Sequence, residues 1–256
     1  MAVSSVPVPA RSWMSDVFPP VWRRDPELLW PYLLRWTISP AHRVLARSAG
    51  YGADRVPLEG GIVLAANHLS AIDPTLLGAF VPRAVYYMAK VELLAMPFFG
   101  EIFQWAGAFP VRRSEGDRDA LRLARKLVAE GHALGMFVEG TRQRLGYPGP
   151  AQPGALMIAV QENVPVVPCG LYSFGWSLGS RASCAVVFGR PMTLEGVPRS
   201  GRGYKKAAEL VGGALLGLWR QAADAVARGF PDELSDGTPR SAPVPPFKRL
   251  NARGPA

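Results

Sequence analysis

Six short apolar runs, separated by polar and helix-like segments, constrain the fold of this chain more than any other feature. The runs lie at 62–66, 85–89, 107–111, 135–139, 164–170 and 184–188. Residues 117–130, between two of these runs, place Leu121, Ala124, Leu127 and Val128 on one helical face. Strands that alternate with helices are typical of an α/β fold with a mostly parallel central sheet flanked by helices. In such a sheet, the functional site is expected at the carboxyl ends of the strands.

Glycine and proline residues affect how two of the predicted elements are expected to pack. Residues 204–228 carry apolar side chains at helical spacing, and we interpret them as a closing helix. We expect Gly212, Gly213 and Gly217 to let this helix approach a sheet closely. In the run 164–170, Pro168 removes a ladder donor, so we expect a bent or marginal strand that shapes a wall of the site.

Composition divides the chain into a domain and its flanking segments. The 256 residues, of which 48% are hydrophobic, are enough for one large α/β domain. Residues 1–20 and 231–256 are proline-rich and weakly periodic, which predicts disordered or loosely attached tails. Residues 51–230 contain the predicted domain, and residues 21–50 form a separate aromatic-rich segment before it.

The segment 21–50 combines tryptophan with arginine in short helical stretches that are broken by Pro31 and Pro40. Trp30 and Trp36 have the character of side chains that lie at headgroup depth in a bilayer. The sequence therefore predicts an N-terminal helical membrane-association segment. A helix packed on the core is the alternative, and the composition leaves both interpretations open.

The formal net charge of +9 indicates an anionic partner. Nucleic acid, an anionic membrane surface and phosphorylated substrates all fit this charge, but no nucleic-acid-binding motif is visible, so we expect no nucleic-acid partner. The chain has no signal-peptide pattern, and no window approaches the ~18 apolar residues of a spanning helix. We therefore expect a peripheral protein on the cytoplasmic face of the plasma membrane.

Cys169 and Cys184 lie in apolar runs, and neither belongs to a CxxC pair. We expect both to be buried free thiols, and we expect no metal site.

The stretch 67–73 places a histidine and an aspartate at the tip of the first apolar run. His68 follows that run, Asp73 comes five positions later, and Pro74 opens a helix. An aspartate one turn into the helix can fold back and bond one imidazole nitrogen, which leaves the other nitrogen as a base toward a hydroxyl. A surface or helix-capping pair is the alternative for this spacing.

Two further runs end in residues that suit an anion. The first is Phe137-Val138-Glu139-Gly140-Thr141-Arg142, in which the arginine can grip phosphate bidentately and the glycine lets backbone N–H groups approach it. Its glutamate could fix the arginine or bond a substrate hydroxyl. The second run, 107–113, ends in Arg112 and Arg113. The alternative for the first run is a strand-end turn with a surface ion pair, and the alternative for the second is a strand that ends in solvated arginines.

In this order, four segments resemble the four sequence blocks of the PlsC-type glycerolipid acyltransferases, which include bacterial 1-acylglycerol-3-phosphate acyltransferases. The segments are Asn67-His68…Asp73, Gly107…Arg113, Phe137…Arg142 and Val164-Pro165…Pro168. The stretch 89–100 also resembles the family, and the resemblance covers roughly residues 55–195.

The resemblance implies a role for each matched residue. His68 matches the catalytic base, and Asp73 matches its orienting partner. The residues assigned to substrate binding are Asn67, Ser70, Arg113, Glu139, Gly140, Thr141, Arg142 and Pro165. The implied reaction moves a fatty acyl group from acyl-CoA or acyl-carrier protein to the sn-2 hydroxyl of a lysophospholipid acceptor, 1-acylglycerol-3-phosphate, and makes phosphatidic acid. It needs no metal or organic cofactor, and an anionic membrane surface would supply the lipid.

Three positions depart from the family's pattern. Val138, Gln143 and Arg112 stand where proline, serine and an acid are usual. Because they lie on the phosphate side, they leave the acceptor open, with glycerol-3-phosphate, a lyso-ornithine lipid or a glycolipid as alternatives. A hydrolase that uses water would also fit the sequence, and so would a noncatalytic membrane-binding relative.

Overall fold

The computed structural model describes residues 46–105, 107–112, 117–180 and 182–241. The strands are β1 (Arg47–Tyr51), β2 (Ile62–Ala66), β3 (Val85–Lys90), β4 (Ala108–Val111), β5 (Ala133–Phe137), β6 (Val166–Tyr172), β7 (Ser183–Phe188) and β8 (Arg240–Ser241). The helices are α1 (Asp73–Phe80), α2 (Val91–Leu94), α3 (Phe99–Trp105), α4 (Arg118–Ala129), α5 (Pro153–Glu162) and α6 (Gly201–Ala227). A 3₁₀ turn spans Ala53–Arg55.

All eight strands form one sheet in the order β4-β3-β5-β2-β6-β7-β1-β8. The strands β4, β3, β5, β2 and β6 are parallel, β7 is antiparallel to β6, and β1 is parallel to β7. The predicted α/β fold with a mostly parallel central sheet flanked by helices is therefore confirmed. The five parallel strands end at one edge of the sheet, which we call the carboxyl edge.

Helices cover both faces of the sheet. Successive side chains of each buried strand point to opposite faces, so each strand contributes to a core on either side. On one face, Leu64 of β2 belongs to a core cluster with Leu76 and Leu77 of α1. On the other face, Val63 of β2 belongs to a cluster that includes Leu156 of α5 and residues of α4 and α6. The sheet is thus the middle of three layers, and its central strands are shielded from water.

The helix α6 approaches the sheet through a glycine of the sheet and not through its own glycines. A Cβ on Gly170 of β6 would lie 2.3 Å from the backbone nitrogen of Trp219. Gly213 and Gly217 have open space at the same position, and Gly212 has only an ordinary contact at 3.5 Å with Ala151. The prediction that the helix glycines allow the close approach is wrong, because the contact requires the missing side chain on the strand.

The strand β6 is long, buried and paired on both sides, so the prediction of a marginal strand at 164–170 is also wrong. Pro168 pairs in register with Ala65 of β2, and its carbonyl accepts the Gly189 N–H at 2.8 Å. Pairing with β7 begins one residue later, at Cys169. Pro168 therefore lies where β7 has already left the ladder, and a proline is tolerated at such a position.

Two predicted boundaries shift. Residues 47–50, assigned to the N-terminal segment, belong to β1, where Ala49 is buried against α6. Residues 231–241, assigned to the tail, pack on the domain, because Leu234 is in the core and the Tyr51 hydroxyl donates to the Pro231 carbonyl at 2.8 Å. The predicted membrane-association helix before residue 46 and the tail after residue 241 lie outside the described residues. Within the described ranges, no helix has the length and apolar character needed to cross a bilayer.

Candidate active site

His68 and Asp73 meet at the carboxyl edge, where β2 ends and α1 begins. The Nδ1 atom of His68 lies 2.8 Å from the Oδ2 atom of Asp73. The imidazole is 15% exposed, whereas the aspartate side chain is fully buried. Asp73 is the first residue of α1, and Pro74 follows it at a helix position that needs no N–H donor. The predicted fold-back of the aspartate onto the imidazole is therefore present.

Five donors surround the Asp73 carboxylate. Its Oδ2 atom accepts the backbone N–H groups of Leu69 at 2.6 Å and Ser70 at 2.8 Å, in addition to His68. Its Oδ1 atom accepts the hydroxyls of Ser70, at 3.3 Å, and of Ser173. A buried carboxylate with this many donors is held in one orientation, because any rotation would leave buried polar groups unpaired.

The arrangement fixes the tautomer of His68. An ionised carboxylate only accepts hydrogen bonds, so the imidazole must present N–H at Nδ1. In the neutral ring, Nε2 then carries a lone pair and can accept a proton. A carboxylate at Nδ1 also stabilises the imidazolium that forms when Nε2 takes that proton.

Two aromatic rings form stacked pairs next to the histidine. The Phe137 ring lies 4.2 Å from the His68 ring, with an angle of 22° between their planes. The Phe137 ring also stacks with the Tyr87 ring, with 6.4 Å between the two ring centroids. Gly135 makes room for this stack, because a Cβ there would lie 2.4 Å from the Tyr87 ring. The stack limits rotation of the imidazole and shields one of its faces from water.

Glu139 is buried and binds backbone groups. Its Oε2 atom accepts the His68 N–H at 2.9 Å, and its Oε1 atom accepts the Gly149 N–H at 2.9 Å. Burial raises the pKa of Glu139 to about 7, and the negative charge of Asp73 acts in the same direction against the two N–H donors. This carboxylate ties the His68 turn to the loop that follows β5.

Asn67 and Ser70, both predicted to bind substrate, are buried at the base of the site. The Asn67 side chain donates to the Leu171 carbonyl at 2.8 Å and accepts the Leu171 N–H at 2.7 Å. It thereby extends the pairing of β2 with β6 beyond the last backbone pair. The Ser70 hydroxyl contacts Asp73 and the Ser173 hydroxyl. In this structure, both side chains hold the histidine turn in place.

The exposed turn after β5 carries Gly140, Thr141 and Arg142 beside the histidine. Gly140 has a φ of 74°, which glycine adopts without strain. The Gln143 N–H donates to the His68 carbonyl at 2.7 Å, so this turn is held against the His68 turn. The structure therefore brings the predicted hydroxyl and guanidinium to the same edge as the His68–Asp73 pair.

The remaining two predicted residues, Arg113 and Pro165, have different outcomes. Arg113 lies outside the described residues, and its neighbour Arg112 is exposed at the end of β4. Pro165 precedes β6, and its carbonyl accepts the Val63 N–H at 3.0 Å. It therefore lies at the opposite edge of the sheet, separated from His68 by the length of β2.

Ser173 and Phe137 belong to the site, although the sequence patterns do not predict either of them there. Ser173 is a polar residue directly after the apolar run of β6, and such a residue at a strand tip is a signal for a site. Using that signal requires knowing that β6 lies next to β2, which the sequence does not reveal. Phe137 reads in the sequence only as part of a strand, although it pairs with Ala66 two residues before the histidine.

The two cysteines are buried free thiols, as predicted. Burial raises the pKa of Cys184 to about 12, with the charge of Asp73 adding to the effect. Burial also raises the pKa of Cys169 well above its ordinary value. Neither thiol is therefore a nucleophile near neutral pH. The described part of the chain contains no group of three or more His, Cys, Asp and Glu side chains that could hold a metal ion.

Comparison with known proteins places this geometry in a family. A family model described as Acyltransferase matches residues 47–172. The 1-acyl-sn-glycerol-3-phosphate acyltransferase of Bacillus subtilis (strain 168) is 30% identical over 145 residues, which cover 56% of this chain and 72% of that protein. The enzyme of the same name from Borreliella burgdorferi is 29% identical over 124 residues, 48% of this chain and 50% of that protein.

A human relative and a solved structure are also similar to this chain. The human 1-acyl-sn-glycerol-3-phosphate acyltransferase beta is 32% identical over 115 residues, 44% of this chain and 41% of that protein. The crystal structure of the 1-acyl-sn-glycerophosphate acyltransferase PlsC from Thermotoga maritima has the same fold, with a TM-score of 0.63 and 23% identity over 77% of this chain and 80% of that one. The chain belongs to the acyltransferase family that contains the 1-acyl-sn-glycerol-3-phosphate acyltransferases.

Proposed function

We propose that this protein transfers a fatty acyl group from acyl-CoA or acyl-carrier protein to the sn-2 hydroxyl of 1-acyl-sn-glycerol-3-phosphate, forming phosphatidic acid. The observation that carries the proposal is the 2.8 Å contact between His68 Nδ1 and Asp73 Oδ2 at the carboxyl edge. It is the arrangement that a base acting on an alcohol requires. Membership of the family supports the choice of an acyl group and of this acceptor.

In the proposed reaction, Nε2 of His68 takes the proton of the acceptor hydroxyl as its oxygen attacks the thioester carbonyl. Asp73 holds the ring and stabilises the imidazolium that forms. The C–S bond then breaks, and the departing thiolate recovers the proton from His68. The products are the ester and the free thiol, so the protein forms no covalent intermediate. This balance involves no redox change, and we propose that no metal or organic cofactor takes part.

We propose that Arg142 and Thr141 bind the acceptor phosphate. Arg142 is exposed, and within the described ranges it forms no ion pair, so its guanidinium is available to an anion. The Gly140 backbone allows a close approach beside it. Binding the phosphate here would place the acceptor hydroxyl next to His68. The binding energy of the phosphate would then orient the reacting hydroxyl. Arg113 remains a predicted second phosphate contact.

Glu139, Asn67 and Ser70 have a different role in this proposal. Their polar atoms bond the backbone or the Asp73 carboxylate, so they act as positioning residues that hold the histidine turn. The resemblance assigned them to substrate binding. The two roles differ in their expected effect, because a positioning residue lowers kcat and a phosphate ligand raises the KM of the acceptor.

We also propose that the protein works as a peripheral protein at the cytoplasmic face of an anionic membrane. Its acceptor is a lipid, and the net charge of +9 favours an anionic surface. The aromatic and arginine-rich residues before position 46 would contribute to this attachment. The structure of these residues lies outside the described ranges.

The direct test is incubation of the purified protein with labelled long-chain acyl-CoA and lysophosphatidic acid in anionic vesicles. Phosphatidic acid is the expected product, and acyl-carrier protein in place of coenzyme A tests the donor. If product forms only with glycerol-3-phosphate, a lyso-ornithine lipid or a glycolipid, that molecule is the acceptor in place of lysophosphatidic acid. Free fatty acid without acceptor would indicate a hydrolase, and intact donor across the whole panel would indicate a noncatalytic relative.

A further inference from the structure

Four large apolar side chains that are exposed to solvent lie on loops at the carboxyl edge. Among the described residues, Leu178 is 81% exposed, Leu145 73%, Tyr147 52% and Phe174 48%. Leu145 and Tyr147 follow β5, and Phe174 and Leu178 follow β6. Both strands end at the carboxyl edge, so these four side chains lie on either side of β2 and its histidine. Single exposed leucines are common on protein surfaces, but a cluster of large apolar side chains at one edge marks an interaction surface.

The two loops that carry these side chains touch each other. A Cβ on Gly146 would lie 2.8 Å from the Phe174 ring, so the loop after β5 packs against the loop after β6. The second loop is anchored in the domain, because Trp176 packs on the core cluster under α1 and the Ser173 hydroxyl donates to Asp73. The exposed apolar side chains are therefore carried by loops that are fixed to the domain beside His68 and Asp73. We call Leu145, Tyr147, Phe174 and Leu178 the apolar rim.

Three exposed basic residues lie at the same edge of the sheet as the apolar rim. Arg142 and Arg144 are exposed in the loop after β5, and Lys90 is exposed at the end of β3. Within the described ranges, neither Arg142 nor Arg144 forms an ion pair. Apolar side chains beside unpaired cations are the pattern of a surface that inserts into an anionic bilayer interface.

The first described strand, β1, also begins at the carboxyl edge. The strand β7 is antiparallel to β6, so β7 begins at the carboxyl edge. The strand β1 is parallel to β7 and pairs Arg47 with Ser183, the first residue of β7. The chain therefore enters the sheet from residue 46 at the edge that carries His68 and the apolar rim.

We propose that the apolar rim docks on an anionic lipid bilayer and seats His68 at headgroup depth. This inference rests on the proposed function, since a lipid acceptor has to reach His68 from the bilayer. Leu145 and Leu178 insert into the interface, and Arg144 contacts lipid phosphates, while Arg142 stays with the acceptor phosphate. The acceptor then moves from the membrane to Nε2 of His68 along a path that does not cross bulk water.

The test compares two double variants of the full chain. Leu145→Ser with Leu178→Ser removes the two most exposed leucines of the rim. Leu58→Ser with Leu210→Ser is the matched control, because these leucines are 45% and 48% exposed but lie before β2 and on α6. Sedimentation with vesicles of equal parts phosphatidylcholine and phosphatidylglycerol measures the partition coefficient. Thermal unfolding checks that both variants keep the fold.

We expect the rim variant to bind vesicles about tenfold or more weakly than the wild type, because each leucine loses its apolar burial in the interface. The control variant should stay within about twofold of the wild type. A rim variant that binds as well as the wild type would overturn the proposal and place the contact elsewhere, for instance in residues 21–45. An equal loss in both variants, or a wild type that does not bind, would also overturn it.

A second measurement separates this inference from the proposed function. Turnover of a short-chain lysophosphatidic acid that dissolves as a monomer is measured without vesicles. We expect the rim variant to keep wild-type turnover here, since the surface serves docking and not chemistry. Lost turnover in the rim variant alone would assign the two leucines to the reaction and overturn the docking role. If the wild type itself turns over no substrate, the proposed function fails while the vesicle result still decides the docking surface.

Discussion

Glu139 and His68 are joined through the backbone, because the Oε2 atom of the buried carboxylate accepts the His68 N–H at 2.9 Å. The other oxygen accepts the Gly149 N–H at 2.9 Å, so one side chain fixes both the histidine turn and the loop after β5. The position of the base thus depends on a residue that belongs to a different strand. This coupling distinguishes a positioning role of Glu139 from a role in binding the acceptor.

Replacing Glu139 by glutamine should lower kcat and leave the KM of the acceptor close to that of the wild type. Glutamine keeps one oxygen, but its NH₂ group would face a backbone N–H that loses its acceptor. An unpaired buried donor costs about 1–3 kcal/mol, which corresponds to a roughly tenfold or larger loss of kcat if the His68 turn shifts. Steady-state kinetics of this variant beside the exposed-site control Glu209→Gln provide the test. A raised acceptor KM with unchanged kcat would favour direct binding of the acceptor by Glu139.

The same residue should make stability depend on pH. Burial raises the pKa of Glu139 from its ordinary value of 4.5 to about 7. The folded protein therefore binds this proton more tightly than the unfolded chain, and the Glu139 contribution to the free energy of unfolding falls as pH rises from about 4.5 to about 7. The fall continues through the folded pKa, and above about pH 8 the contribution stays at its lower value. Glutamine does not titrate, so the wild-type Tm should fall relative to Glu139→Gln between about pH 5 and about pH 8. A constant difference in Tm over that range would contradict this assignment.

Ser173→Ala should reduce kcat about five- to tenfold, because Asp73 loses one buried donor and holds His68 less firmly. The expected change in acceptor KM is small, since Ser173 bonds only Asp73 and Ser70 among the described side chains. The exposed Ser235→Ala variant is the control. Wild-type kcat in Ser173→Ala would show that the remaining donors suffice to orient the carboxylate.

Both cysteines should resist modification in the native protein. They are buried, and burial raises the pKa of each thiol, so neither is a thiolate near neutral pH. We expect a thiol reagent to label no cysteine in the native state and both after denaturation. Fast native labelling would show that the strands β6 and β7 open. Acylation of Cys184 during turnover would contradict a mechanism without a covalent intermediate.

The sequence predicts those parts of the site that are local in the chain. The apolar run of β2 occupies the residues expected, and the five-residue separation of His68 and Asp73 is closed by a single turn and the start of α1. Neither prediction requires knowledge of the strand order. The phosphate-side turn is also local, because Gly140 follows the end of β5 by only three residues.

The parts that could not be predicted depend on contacts between distant segments. Ser173 reaches Asp73 across 100 positions, and Glu139 reaches the His68 N–H across 71 positions. The order of β5, β2 and β6 makes these contacts possible, and single-strand patterns do not encode that order. Pro165 belongs to one of the four blocks of the resemblance but lies just before β6, at the opposite edge of the sheet from His68. The composition of residues 231–241 predicts a tail, but these residues bury Leu234 in the core.

The most direct test of the account is the rate of phosphatidic acid formation by His68→Ala beside His132→Ala. His132 is a suitable control because it precedes β5 at the opposite edge, where its ring contacts Tyr86. We predict that His68→Ala loses about 10²–10⁴-fold in kcat, as expected for removal of a general base, and that His132→Ala keeps wild-type turnover. Equal turnover by His68→Ala and the wild type, in preparations that are free of other acyltransferases, would contradict the assignment of His68 as the base.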